Sequence, residues 1–259
     1  MRPSPPLSFA RYVALGDSST EGIDDPDGAG GYRGWSQRLA ERIDTAQGGR
    51  LLYANLATRG LTTRQVRQRQ LDAALALRPD LATVFCGTND VTAARFDAAA
   101  VAGDIAQMQH TLVEQGATVL SFTLPDLTPL MPLARLIAPR IAALNRALAA
   151  ASAASGAILV DFAAHPVATD ARLWSEDRIH ANAAGHARIA EALAQALGLP
   201  GTNDTWQAPL PEVTLTHRQR WAAEARWMRR HLLPWIWRGL RGQSSADGRG
   251  PKRPALAPP

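Results

Sequence analysis

Five short apolar runs, separated by segments with helical periodicity, limit the fold of this chain more than any other feature. The runs of strand length are residues 12–15, 51–57, 81–86, 118–122 and 158–162. Apolar residues recur at helical spacing over residues 35–43, 63–77, 98–115, 133–154 and 182–197. Strands that alternate with helices of this length are typical of βαβ units with right-handed crossovers. Because the strands are apolar almost throughout, both faces of their sheet should be covered. We therefore predict a three-layer α/β/α domain of flavodoxin-like type around a five-stranded parallel sheet.

Polar residues follow the predicted strands where each strand ends. Ser18 comes after the first strand, Gly60 after the second and Asn89 after the third, while Asp177 and His180 lie in the loop after the fifth. In open α/β sheets, ligands bind outside the carboxyl ends of the strands. We therefore expect these residues to share one edge of the sheet.

The residue types in these blocks fit serine ester hydrolysis. That chemistry needs a hydroxyl that attacks, an imidazole that takes its proton, a carboxylate that orients the imidazole, and N–H donors for the oxyanion. A bend between Asp177 and His180 would direct the carboxylate at Nδ1 and leave Nε2 facing Ser18. Each block also has a structural interpretation. Ser18 fits a helix N-cap or turn, Gly60 a turn before the next helix, and Asn89 an Asx turn.

The blocks Gly16-Asp17-Ser18, Gly87-Thr88-Asn89-Asp90 and Asp177-Arg178-Ile179-His180, with Gly60, resemble the SGNH (GDSL-type) hydrolase family. The resemblance extends over residues 12–197. It implies Ser18 as nucleophile, His180 as base and Asp177 as orienting acid, with no cofactor. It also assigns the oxyanion hole to the N–H groups of Ser18 and Gly60 and to the side-chain amide of Asn89. The family most often has Leu after the serine. Ser19 stands there in this chain and is a lesser candidate nucleophile.

No metal-binding motif in the sequence competes with this interpretation. Asp24, Asp25 and Asp27 with Gly28 are similar to part of a calcium loop, but the glutamate at the end of such a loop is missing. We interpret them as a hydrophilic loop near the entrance of the site. Cys86 is the single cysteine, so an intramolecular disulfide is excluded. We interpret it as a packed strand residue, because no basic residue neighbours it.

The residues that bind substrate are less constrained by the sequence. Apolar residues over 124–133, after the fourth strand, fit the lining of an acyl pocket and ordinary core under a loop equally well. Trp174, just before the Asp177 block, fits a wall that reduces the access of water. The substrate-binding residues that we predict are Leu124, Leu127 and Trp174.

The basic character of the chain belongs to its last fifth. Residues 211–259 carry ten Lys and Arg against three acidic residues, a net charge of +7, while residues 1–210 carry a net charge of −2. The catalytic region is therefore not expected to bind nucleic acid. Trp221, Ala225, Met228 and Leu232 fall at helical spacing with arginines between them. Such a helix either packs on the catalytic body or contacts anionic lipid through residues 216–238.

We predict three regions along the chain. Residues 1–200 form the catalytic domain, 201–240 a linker and a Trp/Arg-rich amphipathic helix, and 241–259 a disordered tail rich in Gly, Ser, Pro and Arg. The sequence has no recognisable signal peptide and no apolar run of the ~20 residues that a membrane span needs. It therefore predicts a cytoplasmic protein with possible peripheral contact to a membrane.

These observations favour a serine hydrolase that cleaves carboxylic esters through an acyl-enzyme intermediate. The expected substrate is a small-molecule or lipid ester. The alternatives are a thioesterase or lysophospholipase of the same family. A further alternative, of another class, is a non-catalytic binding protein on this fold that is recruited by a membrane or a partner.

Overall fold

The computed structural model describes residues 8–212, 218, 225–232 and 248–259, and a twisted sheet forms its centre. The strands of this sheet are β1 Arg11–Gly16, β2 Leu52–Asn55, β3 Leu81–Phe85, β4 Thr118–Phe122, β5 Ile158–Val160 and β6 Arg253–Ala257. Their spatial order is β5-β4-β3-β1-β2-β6. Strands β1 to β5 pair in parallel, in the flavodoxin-like order, whereas β6 pairs antiparallel with β2. The predicted α/β class is confirmed.

Helices cover both faces of the sheet. They are α1 Ser18–Glu21, α2 Gly34–Gln47, α3 Thr63–Ala76, α4 Thr88–Thr92, α5 Ala98–Glu114, α6 Ala138–Ser155 and α7 Ala183–Ala196. On one face, Trp35 and Leu39 of α2 and Leu193 of α7 pack in the same core cluster as Tyr12 of β1. On the other face, α3 and α5 pack in a second cluster with Val13 of β1. Neighbouring residues of β1 thus belong to opposite layers, as the alternation of a strand requires.

The segment predicted as one helix over 133–154 is divided in two. A 3₁₀ turn covers Pro132–Leu136, and α6 begins only at Ala138. Pro139 lies in the first turn of α6. Proline is tolerated there because its missing N–H would have no helical partner, but further inside a helix it removes a hydrogen bond and clashes with the preceding turn. The helix therefore starts close to Pro139.

The C-terminal region differs from its prediction. Residues 253–257, placed in a disordered tail, form β6 and make the sheet mixed and six-stranded within the described residues, where five parallel strands were predicted. Tyr53 pairs with Ala257 and Asn55 with Arg253. The unpaired edge of β2 supplies hydrogen-bonding groups that the tail's composition does not reveal. Of the helix predicted within 201–240, the structure describes helical backbone at residues 218 and 225–227 and a π turn at Met228–Leu232, while a 3₁₀ turn covers Asp204–Gln207. The other parts of that helix, and residues 241–247, lie outside the described residues.

None of the helices in the described part of the chain is long and apolar enough to cross a bilayer.

Candidate active site

The structure brings Ser18, Asp177 and His180 together at the carboxyl edge of the sheet. The Nε2 atom of His180 lies 2.8 Å from the Oγ atom of Ser18. The Nδ1 atom of the same ring lies 2.6 Å from the Oδ2 atom of Asp177. The three side chains therefore form one continuous hydrogen-bonded series, although Ser18 and His180 are 162 residues apart in sequence. His180 contacts Ser18 and not Ser19, which disfavours Ser19 as a nucleophile.

Ser18 owes its position to a tight junction between β1 and α1. A Cβ atom at Gly16 would lie 2.3 Å from the carbonyl oxygen of Phe85, so only glycine fits at the end of β1. Asp17 then caps α1, and its carboxylate accepts the N–H of Ser19 at 3.1 Å. Gly22 ends this single turn of helix in the left-handed conformation. Ser18 is therefore the first residue of a helix that starts directly above the strand.

The loop that carries Asp177 and His180 is closed on itself. The N–H of Ser175 donates to the carbonyl of His180 at 2.9 Å, and Trp174 and Ala181 form an isolated β-bridge. The Oδ1 atom of Asp177 accepts the N–H groups of Ile179 and His180 at 2.9 and 3.0 Å. The carboxylate is thus fixed by its own loop while its second oxygen faces the imidazole. We refer to residues 174–181 as the acid–base loop.

The pKa values of this pair shift in opposite directions. Burial acts to lower the pKa of His180, but the hydrogen bond and negative charge of Asp177 outweigh it and raise that pKa above 6.5. Burial acts to raise the pKa of Asp177, but the hydrogen bond and charge of His180, with the two backbone N–H groups, hold it well below its usual range. The imidazole is therefore a stronger proton acceptor than a free histidine, and Asp177 remains ionised at neutral pH.

Three N–H groups at this edge are suitable donors for an oxyanion. Gly60 has a left-handed backbone with a φ of 79° in the turn after β2. The backbone N–H groups of Gly60 and Ser18 donate to no protein acceptor within the described residues. The side chain of Asn89, in α4, donates through Nδ2 to the carbonyl of Leu61 at 2.9 Å and lies 3.3 Å from the Oδ2 atom of Asp17.

Asp17 is a component of the site that the sequence interpretation did not single out. Its side chain is fully buried between the nucleophile and Asn89. Burial raises its pKa to about 7, against the opposing effects of the Ser19 N–H and of the charge of His180. An Asp before a helix is a recognisable N-cap, but a single sequence gives no sign that this cap is inaccessible to water.

Ser175 and Asp24 form a second group of polar contacts beside Asp177. From the sequence, Asp24 was interpreted as part of a hydrophilic loop near the entrance of the site, whereas Ser175 was not singled out. The Oγ atom of Ser175 lies 2.6 Å from Asp24 Oδ2 and 2.8 Å from Asp177 Oδ1. Ligand atoms of Asp24, Asp177 and His180 all lie within 4.8 Å of one another, a spacing compatible with a metal ion as well as with hydrogen bonding. In the same loop, Asp25 binds Arg38 and the N–H of Gly34, and Asp27 accepts the N–H groups of Ala29 and Gly31.

A narrow cavity of about 80 Å³ opens beside Ser18 and His180 and is bordered mainly by apolar side chains. Leu124 and Trp174, two of the three predicted substrate-binding residues, line it. The aromatic rings at its walls are Phe85, Phe122, Phe162 and Trp206. Leu127 is not among the lining residues. It is buried in the hydrophobic core, so the alternative interpretation of ordinary core applies to it.

Two further residues near the site, Cys86 and His186, belong to the buried interior of the domain. Cys86 is fully buried, and burial raises the pKa of its thiol. His186 on α7 accepts the N–H of Trp35 at Nδ1 and donates from Nε2 to the carbonyl of Ile23. Burial lowers the pKa of His186 to about 4, so this ring is neutral and joins α2 and α7 to the loop after α1.

The described part of the C-terminal extension contacts the acid–base loop. Trp227 is buried, and its indole N–H donates to the carbonyl of Asp177 at 3.1 Å. The guanidinium of Arg178 lies 4.8 Å from the centre of the Trp227 ring. Arg230 reaches Glu176 at 3.5 Å. These contacts agree with the interpretation in which this segment packs on the catalytic body.

Comparisons with known proteins identify one family and a shared fold. The model of the GDSL-like Lipase/Acylhydrolase family matches residues 14–188. A comparison with curated protein sequences found no match. The solved structure of TesA is 24% identical, with a TM-score of 0.60 over 72% of this chain and 97% of TesA. The esterase EstA from Pseudoalteromonas sp. is 18% identical, with a TM-score of 0.57 over 73% of this chain and 97% of EstA.

A third similar structure is Axe2, an acetylxylan esterase from Geobacillus stearothermophilus. It is 16% identical, with a TM-score of 0.62 over 76% of this chain and 98% of Axe2. At these identities the solved structures support the fold. The family match covers about two thirds of the chain and contains all of the residues that meet at the sheet edge.

Proposed function

The chain belongs to the GDSL-like lipase/acylhydrolase family and is an ester hydrolase of the SGNH type, and on that basis we propose that it cleaves carboxylic esters through an acyl-enzyme on Ser18. The observation that carries this proposal is the series of hydrogen bonds from Ser18 to His180 and Asp177, at 2.8 and 2.6 Å. A nucleophile, a base and an orienting carboxylate in this geometry are what covalent acyl transfer requires.

The first half of the reaction forms the acyl-enzyme. The Ser18 Oγ attacks the carbonyl carbon of the ester while Nε2 of His180 takes the hydroxyl proton. Asp177 accepts the Nδ1–H, keeps the imidazole in the productive tautomer and stabilises the imidazolium that forms. The tetrahedral intermediate then collapses, its bond to the alcohol oxygen breaks, and His180 returns the proton to the leaving alkoxide.

The negative charge on the former carbonyl oxygen needs donors that are already in place. The proposal assigns this role to the backbone N–H groups of Ser18 and Gly60 and to Nδ2 of Asn89. The 3.3 Å separation between Asn89 and Asp17 is long for a hydrogen bond to a carboxylate, which is usually 2.7–2.9 Å. This weak contact can therefore be exchanged for a bond to the oxyanion at little cost, while the bond to Leu61 keeps the amide oriented.

The second half of the reaction regenerates the enzyme. Water enters the position that the alcohol left, gives one proton to His180 and attacks the acyl carbon. The second tetrahedral intermediate collapses to the free acid, and His180 returns its proton to Ser18 Oγ. Apart from the ester and the water, both halves use only groups of the chain.

The apolar cavity beside Ser18 supports an acyl group, and not the alcohol, as the part of the substrate that is buried. Leu124 and Trp174 line it, together with the stacked and edge-to-face rings of Phe85, Phe122 and Phe162. Such a surface favours burial of methylene groups, at about 0.8 kcal/mol for each. The esterase EstA and the acetylxylan esterase have the same fold, which supports an oxygen ester as the substrate. A thioester and a lysophospholipid remain alternatives, and a side-by-side substrate panel separates them.

Labelling with a fluorophosphonate probe, followed by peptide mapping, tests the proposal. We expect the adduct on Ser18, with loss of labelling and of ester hydrolysis in Ser18→Ala. The matched control is Ser19→Ala, which should label and turn over as the wild type does. An adduct on Ser19, or no adduct under conditions in which a known serine esterase labels fully, would refute the assignment. The second result would favour the non-catalytic binding protein.

Peripheral contact with a membrane through residues 216–238 and a cytoplasmic location remain predictions from the sequence. The net charge of +7 on residues 211–259 supports the first of these.

A further inference from the structure

The hydroxyl of Ser175 lies between two carboxylates. Its Oγ atom is 2.6 Å from Asp24 Oδ2 and 2.8 Å from Asp177 Oδ1. A serine hydroxyl has one proton, so the two carboxylates share it in a three-centre hydrogen bond, and the 2.6 Å separation is the one typical of a charged acceptor. Asp24 comes from the segment after α1, whereas Ser175 and Asp177 belong to the acid–base loop, so this hydroxyl joins the two halves of the site.

The Ser175 contact completes the surroundings of the Asp177 carboxylate. Oδ2 faces Nδ1 of His180, and Oδ1 receives two backbone N–H groups from the loop. All of those partners lie on the acid–base loop itself. Besides the series through His180 and Ser18, the link from Ser175 to Asp24 is a second side-chain route by which the position of Asp177 is tied to the segment that carries the nucleophile.

The backbone conformation of Asp24 is fixed by the contacts of its neighbours in sequence. It has a left-handed backbone with a φ of 68°, which is uncommon for a residue other than glycine and is found more often at functional sites. The residue before it, Ile23, accepts a hydrogen bond from His186, and the residue after it, Asp25, pairs with Arg38. These flanking contacts hold the backbone in the conformation that directs the Asp24 carboxylate at Ser175.

We propose that Asp24 is a positioning residue of the catalytic site that acts through Ser175 to hold Asp177 and its charge against His180. This inference rests on the proposed function, because Asp177 and His180 are the acid and base of that mechanism. Neither Asp24 nor Ser175 touches the reacting atoms. Both act on the base through the orienting acid.

Removal of the Asp24 charge should change the pKa of His180 in one direction. The charged and titratable groups that face His180 are Asp177 from its own loop, Asp17 and Asp24 from the segments around α1, and His186 and Arg188 from α7. Asp24 and Asp17 each raise the pKa of His180, after the larger effects of burial, which lowers it, and of Asp177. Removing the Asp24 charge should therefore lower that pKa, and the acid limb of kcat/KM should move to lower pH with it.

NMR titration of the His180 ring tests the inference without any need for turnover. The His180 signal is assigned by its loss in His180→Ala. We expect Asp24→Asn to lower the pKa of His180 by about one unit. Asp27→Asn is the matched control, because it removes a carboxylate of the same loop whose side-chain hydrogen bonds, within the described residues, are to Ala29 and Gly31. That control should leave the titration unchanged.

A double-mutant comparison separates action through Ser175 from action through space. If Ser175 anchors the Asp24 side chain near His180, Asp24→Asn should have less than half of its effect in a Ser175→Ala background. An equal shift in both backgrounds would mean that Asp24 acts by charge alone, and no shift in either would mean that it does not act on the base. Each of these two results would overturn the proposal.

Kinetics and metal removal complete the test. We expect Asp24→Asn to lower kcat about tenfold, well below the ~10⁴-fold loss expected for an orienting acid itself, with KM little changed.

Dialysis of the wild type against EDTA should change neither the rate nor the titration. A change that Zn²⁺ or Mn²⁺ reverses would identify Asp24 as a metal ligand and refute the proposal. If Ser18 fails to label while the His180 titration behaves as expected, the proposed function fails and the coupling stands.

Discussion

At the scale of single residues, Asp17 links the stability of the protein to pH. It is the carboxylate directly before Ser18, and burial raises its pKa from 3.8 to about 7. The folded state therefore binds a proton that the unfolded chain has released, over the window from about pH 4 to pH 7. A carboxylic acid with a raised pKa stabilises the fold below this window, and that contribution is lost as the pH rises through it. Ionised Asp17, next to the nucleophile, therefore lowers the stability of the fold at neutral pH.

Asp17→Asn tests this cost. Asparagine retains an oxygen to cap α1 but carries no charge, so the variant should resist urea better than the wild type at pH 8. A shift of about three units corresponds to at most about 4 kcal/mol. The stability difference should fall towards zero below about pH 3, where Asp17 is protonated in both states. Urea unfolding of both proteins across this range measures it. A stability difference that does not vary with pH would show that Asp17 does not titrate as described.

At the scale of elements, most of the parallel sheet and the residues at its edge could be predicted from the sequence. Buried parallel strands are nearly continuous apolar runs, and β4 was predicted with the bounds that the structure has. The Asp177 and His180 pair was recognisable because both residues lie in one short loop. These features depend on residues that are close together in sequence.

The features that could not be predicted depend on contacts between residues far apart in the sequence. β6 forms because the edge of β2 is open to pairing, and its own composition resembles that of a flexible tail. Asp24 meets Ser175 across 151 residues, and although Asp24 was predicted to lie near the entrance of the site, no local pattern indicates its contact with Ser175. Leu124 and Leu127 are equivalent in the sequence and both belong to the hydrophobic core, and only the packing of the loop after β4 decides that Leu124 also lines the cavity.

The contact of Trp227 with the acid–base loop is an element-scale feature that can be measured. Trp227→Phe removes the indole N–H that binds the Asp177 carbonyl but retains most of the buried area, so it should cost about 1 kcal/mol of stability. Trp227→Ala also loses the packed ring and should cost about 3 kcal/mol, with a lower kcat because the loop loses a support. Urea unfolding and steady-state hydrolysis give the two quantities. Wild-type stability and kcat in Trp227→Ala would show that this contact is dispensable.

At the scale of the whole molecule, the extension beyond the family match joins the catalytic body at two separate places. Trp227 packs on the acid–base loop, and β6 extends the sheet beside β2. Next to β6, the side chain of Lys252 donates to the carbonyl of Arg33 at 2.8 Å, and burial lowers its pKa to about 8. The described parts of the extension are therefore integrated with the body at the acid–base loop and at the β2 side of the sheet.

The positive charge on residues 211–259 predicts that the protein binds an anionic bilayer. The full-length protein should sediment with vesicles that contain phosphatidylglycerol at low salt and dissociate at high salt, because such attraction is screened. Arg238→Glu with Arg241→Glu should weaken this binding. The matched control, Arg69→Glu with Arg95→Glu, makes the same change of charge at exposed positions of the catalytic body. Equal weakening by both pairs would mean that net charge, and not the extension, drives the contact.

The antiparallel pairing of β6 also determines how the sheet ends. A bare β2 edge would offer a row of free N–H and C=O groups to strands of other molecules. β6 covers that row, and Pro254 within it has no N–H with which to continue the ladder outwards. Loss of residues 253–257 would reopen the edge to intermolecular β-pairing. The first defect of such a chain should be aggregation during expression, before any change in its chemistry.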